Sequence, residues 1–242
     1  MRNTWKYKIM NWLLAGAVAL FGAEAHAQTD VAASVDGAFG TTTQAGIPFS
    51  GKVAQTPSNS AGALLGVRHV WSRWVGLEAA YTYNRANQTY SYPISAEVPT
   101  APCPSSGCTL APPVSISANA HAITGAWVVS RKSRRFRSFA LAGGGLLLVV
   151  PSGGQEYTGF TIYGQYLSNA SYTHTATEFL WELGAGLDWK LSAHFGLRLQ
   201  DREVMYKSPQ LVSTQIYTFG TSGLQNAITY TQEPAFGVYY RF

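Results

Sequence analysis

From about residue 30 onward, apolar and polar positions alternate with a period of two in a series of stretches, the pattern of strands with one apolar and one polar face. The spacing predicts strands over 30–42, 60–71, 75–85, 115–129, 137–150, 174–190, 195–206 and 228–242. In the third, Val75, Leu77, Ala79, Tyr81 and Tyr83 share one face, and Gly76, Glu78, Ala80 and Thr82 share the other. In the sixth, Phe179, Trp181, Leu183, Ala185, Leu187 and Trp189 alternate with Glu178, Leu180, Glu182, Gly184, Gly186 and Asp188. In the seventh, Phe195, Leu197 and Leu199 alternate with Gly196, Arg198, Gln200 and Arg202. No segment of helical period interrupts the series.

The connections alternate in length. Ser72-Arg73-Trp74, the segment Ser130 to Phe136 and the segment Leu191 to His194 are short, whereas 43–59, 86–114, 151–173 and 207–227 are long. Eight antiparallel strands joined long, short, long, short in turn predict an all-β, up-and-down barrel with both termini on the side of the short turns. Segment 93–113 carries Pro93, Pro99, Pro102, Pro104, Pro112 and Pro113, and proline cannot donate to a ladder, so it belongs to a loop.

Alternation alone does not say which face points inward. A soluble barrel of lipocalin type would enclose the apolar face, whereas a transmembrane barrel turns it to lipid. Two features favour lipid. The charged face is also the glycine-rich one, as a narrow eight-stranded lumen requires. Aromatics also recur beside the short turns (Trp71 and Trp74, Trp127 and Phe136, Trp189 and Phe195, Tyr240 and Phe242), forming a girdle at the periplasmic boundary. Composition agrees: charged residues are only 12% and aromatics 13%, with 24 glycines. No run of about 18 apolar residues is present, so a membrane-spanning chain must cross with strands.

The first 27 residues read as a cleaved export signal: Arg2, Lys6 and Lys8, an apolar stretch from Ile9 to Phe21, and Ala25-His26-Ala27 as the cleavage site. The alternative is an uncleaved anchor, for which the stretch is short. Residues 28–242 are then the barrel domain. Without the signal the net charge is +3, too small to argue for nucleic acid. Cys103 and Cys108 are expected to form a local disulfide in an oxidising periplasm.

The motifs Gly66-Val67-Arg68-His69 with Val75-Gly76-Leu77-Glu78, Gly184 to Ser192, Phe195-Gly196-Leu197-Arg198, and the ending Tyr239-Tyr240-Arg241-Phe242 resemble the small outer-membrane β-barrel domain of the OmpA/OmpX-like, porin-family type. The resemblance implies residence in the outer membrane and no single activity. No peptidoglycan-binding domain is expected after the barrel. The resemblance also implies that the terminal strand, with Phe236, Val238, Tyr240 and Phe242 on the lipid face, is read by the outer-membrane assembly machinery. The alternative is that Phe242 is one more girdle aromatic.

Hairpin arithmetic places charges opposite one another. A turn centred on Arg73 sets Arg68 against Glu78. One centred on Ala193 sets Asp188 against Arg198, and Glu182 against Val204 with Arg202 as its diagonal neighbour. Unpaired charges in a narrow lumen are costly, so Arg68, Glu78, Glu182, Asp188, Arg198 and Arg202 form a lumen charge network. It is either a plug or an ion path, and the filled interior of so small a barrel favours the plug. The basic run Arg131-Lys132-Ser133-Arg134-Arg135-Phe136-Arg137 reads as a turn at the bilayer edge, open to anionic lipid headgroups, an acidic periplasmic partner or solvent alone.

A lipid A-modifying enzyme would need Ser, His and an acid near the outer rim. His69 and His194 lie at the periplasmic end. His121, close to Asn119, is expected to face the lumen. Only His174, with Ser171 and Glu178 near it in sequence, sits at the right height. No metal-ligand spacing or phosphate-binding glycine loop occurs, and no catalytic residue, cofactor or metal is assigned. The expected function is a non-enzymatic outer-membrane barrel, structural or acting through its long extracellular loops on an unidentified ligand, with membrane lipids and the assembly machinery as partners. The alternatives are an outer-leaflet lipid A-modifying enzyme and a narrow passive pore.

Overall fold

A computed structural model describes residues 28–47, 51–72, 74–91, 114–152, 161–162, 165–166, 172–209, 211–213 and 227–242. The proposed signal 1–27 and both Cys103 and Cys108 lie outside these residues. Among them there is no helix. Eight long strands build the body: β1 Gln28–Gly40, β2 Ser60–Val70, β3 Val75–Ser91, β4 Val114–Lys132, β5 Phe136–Pro151, β6 Ala176–Lys190, β7 Phe195–Lys207 and β8 Ile228–Arg241. Each pairs antiparallel with its sequence neighbours, and β8 returns to pair with β1, closing the barrel. Closure leaves no lipid-facing edge with unmet backbone groups.

The strands overrun the lengths expected from periodicity on the side of the long loops. β3 continues to Ser91, and a hairpin of Thr43–Ile47 and Gly51–Pro57 stands where 43–59 reads as loop. Pro57 to Ala54 pair with Gln88 to Ser91, so this hairpin extends the wall beyond the barrel proper. Polar residues, Gln55, Thr56, Gln88, Thr89 and Ser91, fall on both faces of this ladder, which hides the apolar alternation that marks a half-buried strand.

The outer wall is apolar. Val35, Leu65, Ile123, Leu146, Trp181, Leu199 and Phe236 are all exposed, while Ser34, Leu64, Thr124, Leu147, Leu180, Gln200 and Ala235, their neighbours on the opposite face, are buried. This is the arrangement of a lipid-facing barrel, and it rules out the soluble alternative. Girdle contacts gather beside the short turns: Phe136 stacks on Trp189 at 6.0 Å, Trp71 meets Trp127 edge-on at 5.7 Å, and Tyr240 packs between Phe195 and Phe242.

On β3 and β4 the outward face changes from apolar to polar above Tyr81 and Ile123. The Tyr81 hydroxyl and His121 Nδ1 lie 2.8 Å apart, and the Tyr83 hydroxyl donates to Asn119 at 3.2 Å. His121 is therefore on the outer wall, not in the lumen. Its parity with Ile123 and Trp127, both exposed, fixes that orientation.

Candidate functional site

Among the described residues, the lumen holds eleven buried ionisable side chains: Asp30, Asp36, Arg68, Glu78, Arg137, Glu182, Asp188, Arg198, Arg202, Glu233 and Arg241. They fall into two clusters at different heights.

The lower cluster, toward the short turns, is drawn from seven strands. The hairpin register sets Arg68 opposite Glu78, and Arg68 Nε donates to Glu78 at 2.6 Å. Asp188 faces Arg198, which donates from Nε at 2.7 Å. Arg137 joins from β5, donating to Asp188 at 2.9 Å from Nε and contacting Asp30. Arg241 on β8 donates to Asp30 on β1 at 2.8 Å. Arg198 also lies 3.6 Å from Glu78, and Arg68 lies 3.5 Å from Asp188. Each carboxylate thus serves two or more guanidiniums, the condition under which buried ions are tolerated. Phe139 supports the cluster, its ring centre 3.8 Å from the Arg68 guanidinium carbon.

The upper cluster is centred on Arg202. It donates to Glu182 at 3.3 Å, to Glu233 at 2.6 Å and to the Thr82 hydroxyl at 2.6 Å. The Glu182–Arg202 contact is the diagonal one, since Glu182 stands opposite Val204. Asp36 accepts from Asn84 at 3.1 Å. A cavity of about 60 Å³ lies above, bordered by Glu233, Asn84, Leu180 and Val204. That is room for a few waters and too little for a permeant solute.

The mouth is stoppered in turn. Leu211 is fully buried in a cluster with Tyr90, Ile116, Leu147, Val149 and Leu180. The Tyr90 hydroxyl donates to the Pro209 carbonyl at 2.9 Å, tying the chain just past β7 to the inner face of β3.

All six residues of the expected lumen network lie in these clusters: Arg68, Glu78, Asp188 and Arg198 in the lower, Glu182 and Arg202 in the upper. Sequence reasoning missed Asp30, Asp36, Arg137, Glu233 and Arg241. Arg137 is a correction to the basic run, because it points inward with Phe139 and Leu141 while Arg131, Lys132, Arg134 and Arg135 remain exposed. Face parity was the available signal for all five. Phe236, Val238, Tyr240 and Phe242 share the outer wall of β8. His174 is exposed at the outer rim, its backbone N–H donating to the Leu211 carbonyl at 3.1 Å, and Ser171 lies outside the described residues. Among the described residues no group of three His, Cys, Asp or Glu is placed to hold a metal.

A closed eight-stranded antiparallel wall, apolar outside and ion-filled inside, defines a small outer-membrane barrel. The chain belongs to the outer membrane protein beta-barrel domain family, which it matches over residues 13–242. Its fold is similar to that of OprG from Pseudomonas aeruginosa, at 9% identity and a TM-score of 0.52, covering 89% of this chain and 95% of that one. It is also similar to Ail, the attachment invasion locus protein of Yersinia pestis, solved with the heparin analogue sucrose octasulfate (14% identity, TM-score 0.46, coverage 89% and 99%). A third similar structure is Neisserial surface protein A (12%, TM-score 0.47, coverage 88% and 97%). A search of curated protein sequences finds no match. Membership of this family places the protein in the cell outer membrane.

Proposed function

We propose that the protein is a sealed, non-enzymatic barrel, exported by residues 1–27, that carries its long extracellular segments as an interaction surface. The observation that supports this is the filling of the lumen at three heights: the seven-strand ion cluster, the Arg202 cluster and the Leu211 stopper. A pore needs a continuous wet path, and side chains occupy this one. An enzyme of the outer leaflet needs a nucleophile, a base and an acid converging at the rim. His174 meets no such partner among the described residues. What distinguishes one such barrel from another then lies in its loops, held on a rigid support.

Liposome swelling tests the sealed reading, and lipid A profiling of cells carrying His174→Ala tests the non-enzymatic one. Proteoliposomes should exclude sugars as protein-free liposomes do, and lipid A should be unchanged by the substitution. Swelling in a pentose, or a lipid A change abolished by His174→Ala, would contradict the respective half of the proposal.

A further inference from the structure

Exposed cations gather on one side of the periplasmic rim. Removing Arg137 from the basic run leaves Arg131, Lys132, Arg134 and Arg135, all exposed at the β4–β5 turn. A fifth cation joins them. Lys190 ends β6 and is exposed, and its backbone N–H donates to the Arg135 carbonyl at 2.8 Å, which binds the two strand ends side by side. The turn itself is closed by the Ser133 N–H donating to the Phe136 carbonyl at 2.7 Å. The described residues of the three short connections expose no Asp or Glu: 71–72 and 74, 130–136, and 189–195. Asp188, two residues before Lys190, and Asp30 are buried and already held by Arg137, Arg198 and Arg241.

Position gives this patch its meaning. Phe136 and Trp189, the stacked girdle pair, sit directly beside the cations, and Trp127 lies on the neighbouring strand. Girdle aromatics mark the plane where hydrocarbon gives way to headgroups. The cations therefore stand at headgroup height on the inner leaflet, on stems long enough to reach phosphate. Arginine forks bind phosphate oxygens in pairs, and three of the five cations are arginine.

We infer that the β4–β5 turn with Lys190 is a docking surface for anionic phospholipid headgroups of the inner leaflet. A negative headgroup with its acyl chains against Phe136 and Trp189 satisfies both halves of the patch, whereas a soluble acidic protein would use only the charges. The surface is separate from the lumen, so it stands or falls independently of the sealed-barrel reading.

The test refolds the protein into vesicles of phosphatidylcholine with a minor fraction of phosphatidylglycerol. Polymer discs are then excised and the retained lipid is counted. Wild-type discs should be enriched in phosphatidylglycerol by about fivefold or more over the bulk vesicle. The quadruple variant Arg131→Gln, Lys132→Gln, Arg134→Gln, Arg135→Gln should return to the bulk ratio, and Lys190→Gln should fall between. Heat-modifiable gel mobility confirms that each variant is folded. High salt should reduce the wild-type enrichment, while millimolar inorganic phosphate should leave it largely intact. Bulk-ratio lipid around the wild type, equal enrichment in the quadruple variant, or displacement of the lipid by dilute phosphate would overturn the inference. Cross-linking of the turn in cells to an acidic periplasmic protein, without lipid enrichment, would overturn it in favour of that partner.

Discussion

Asp30 on the first strand and Arg241 on the last are direct partners across the seam that closes the barrel, and Arg241 Nε donates to Asp30 at 2.8 Å. The same carboxylate contacts Arg137 of β5, so one buried acid ties the seam to the far wall. Replacing it by Ala takes the carboxylate from Arg241 and leaves Arg137 with Asp188 alone, both guanidiniums still buried. Asp30→Ala should lower unfolding free energy in detergent or lipid by about 3 kcal/mol or more. Asp201→Ala, which removes an exposed carboxylate bonded to Gln232 on the outer wall, should cost far less. Denaturant titration of the two variants checks this, and equal losses would contradict the assignment of Asp30 to a closed interior.

Arg68 and Glu78 should be energetically coupled. Each single change to Ala leaves a buried charge short of a partner, whereas the double change removes one charge of each sign. The double variant should therefore lose less than the sum of the singles by about 1 kcal/mol or more. Because Arg198 lies 3.6 Å from Glu78, part of the coupling is shared through it. Additive losses in a double-mutant cycle would argue against the contact.

How much of this network could be read from sequence follows from chain connectivity. Short turns fix register, so Arg68–Glu78 and Asp188–Arg198 are legible by counting from Arg73 and Ala193. Asp30–Arg241 joins strands with no turn between them, and Arg137–Asp188 joins strands separated by a long loop. Their registers come only from closure of the whole sheet. Parity still carried information that the charge run concealed: Arg137 shares its face with Phe139 and Leu141, and His121 shares its face with Ile123 and Trp127. The Thr43–Ile47 and Gly51–Pro57 hairpin was illegible because neither face of it alternates in hydrophobicity.

Two glycines offer a contrast in backbone packing. A Cβ on Gly145 would fall against the Ile123 carbonyl oxygen, whereas one on Gly125 would meet no heavy atom within 4 Å. Gly145→Ala should destabilise by about 1–3 kcal/mol through forced backbone movement. Gly125→Ala, which adds a methyl to the lipid face, should be neutral or mildly stabilising. The order of the two unfolding midpoints decides the matter.

Phe242 is exposed on the outer wall, packed edge-on against Tyr240 at 4.9 Å. As a girdle aromatic alone it contributes roughly 1.5–3 kcal/mol, a loss that a stable barrel survives. As part of an assembly signal with Phe236, Val238 and Tyr240 it matters before folding. Deleting Phe242 should lower outer-membrane levels sharply in cells while leaving detergent refolding nearly unchanged. Normal levels in cells would reduce Phe242 to its packing role.

The lumen itself is most directly read by single-channel recording of the purified, refolded protein in a planar bilayer. The ion clusters and the Leu211 stopper predict a flat trace for the wild type at moderate voltage and salt, with no resolved steps. Stable, ohmic conductance steps from folded wild-type protein would contradict the filled interior on which the account rests.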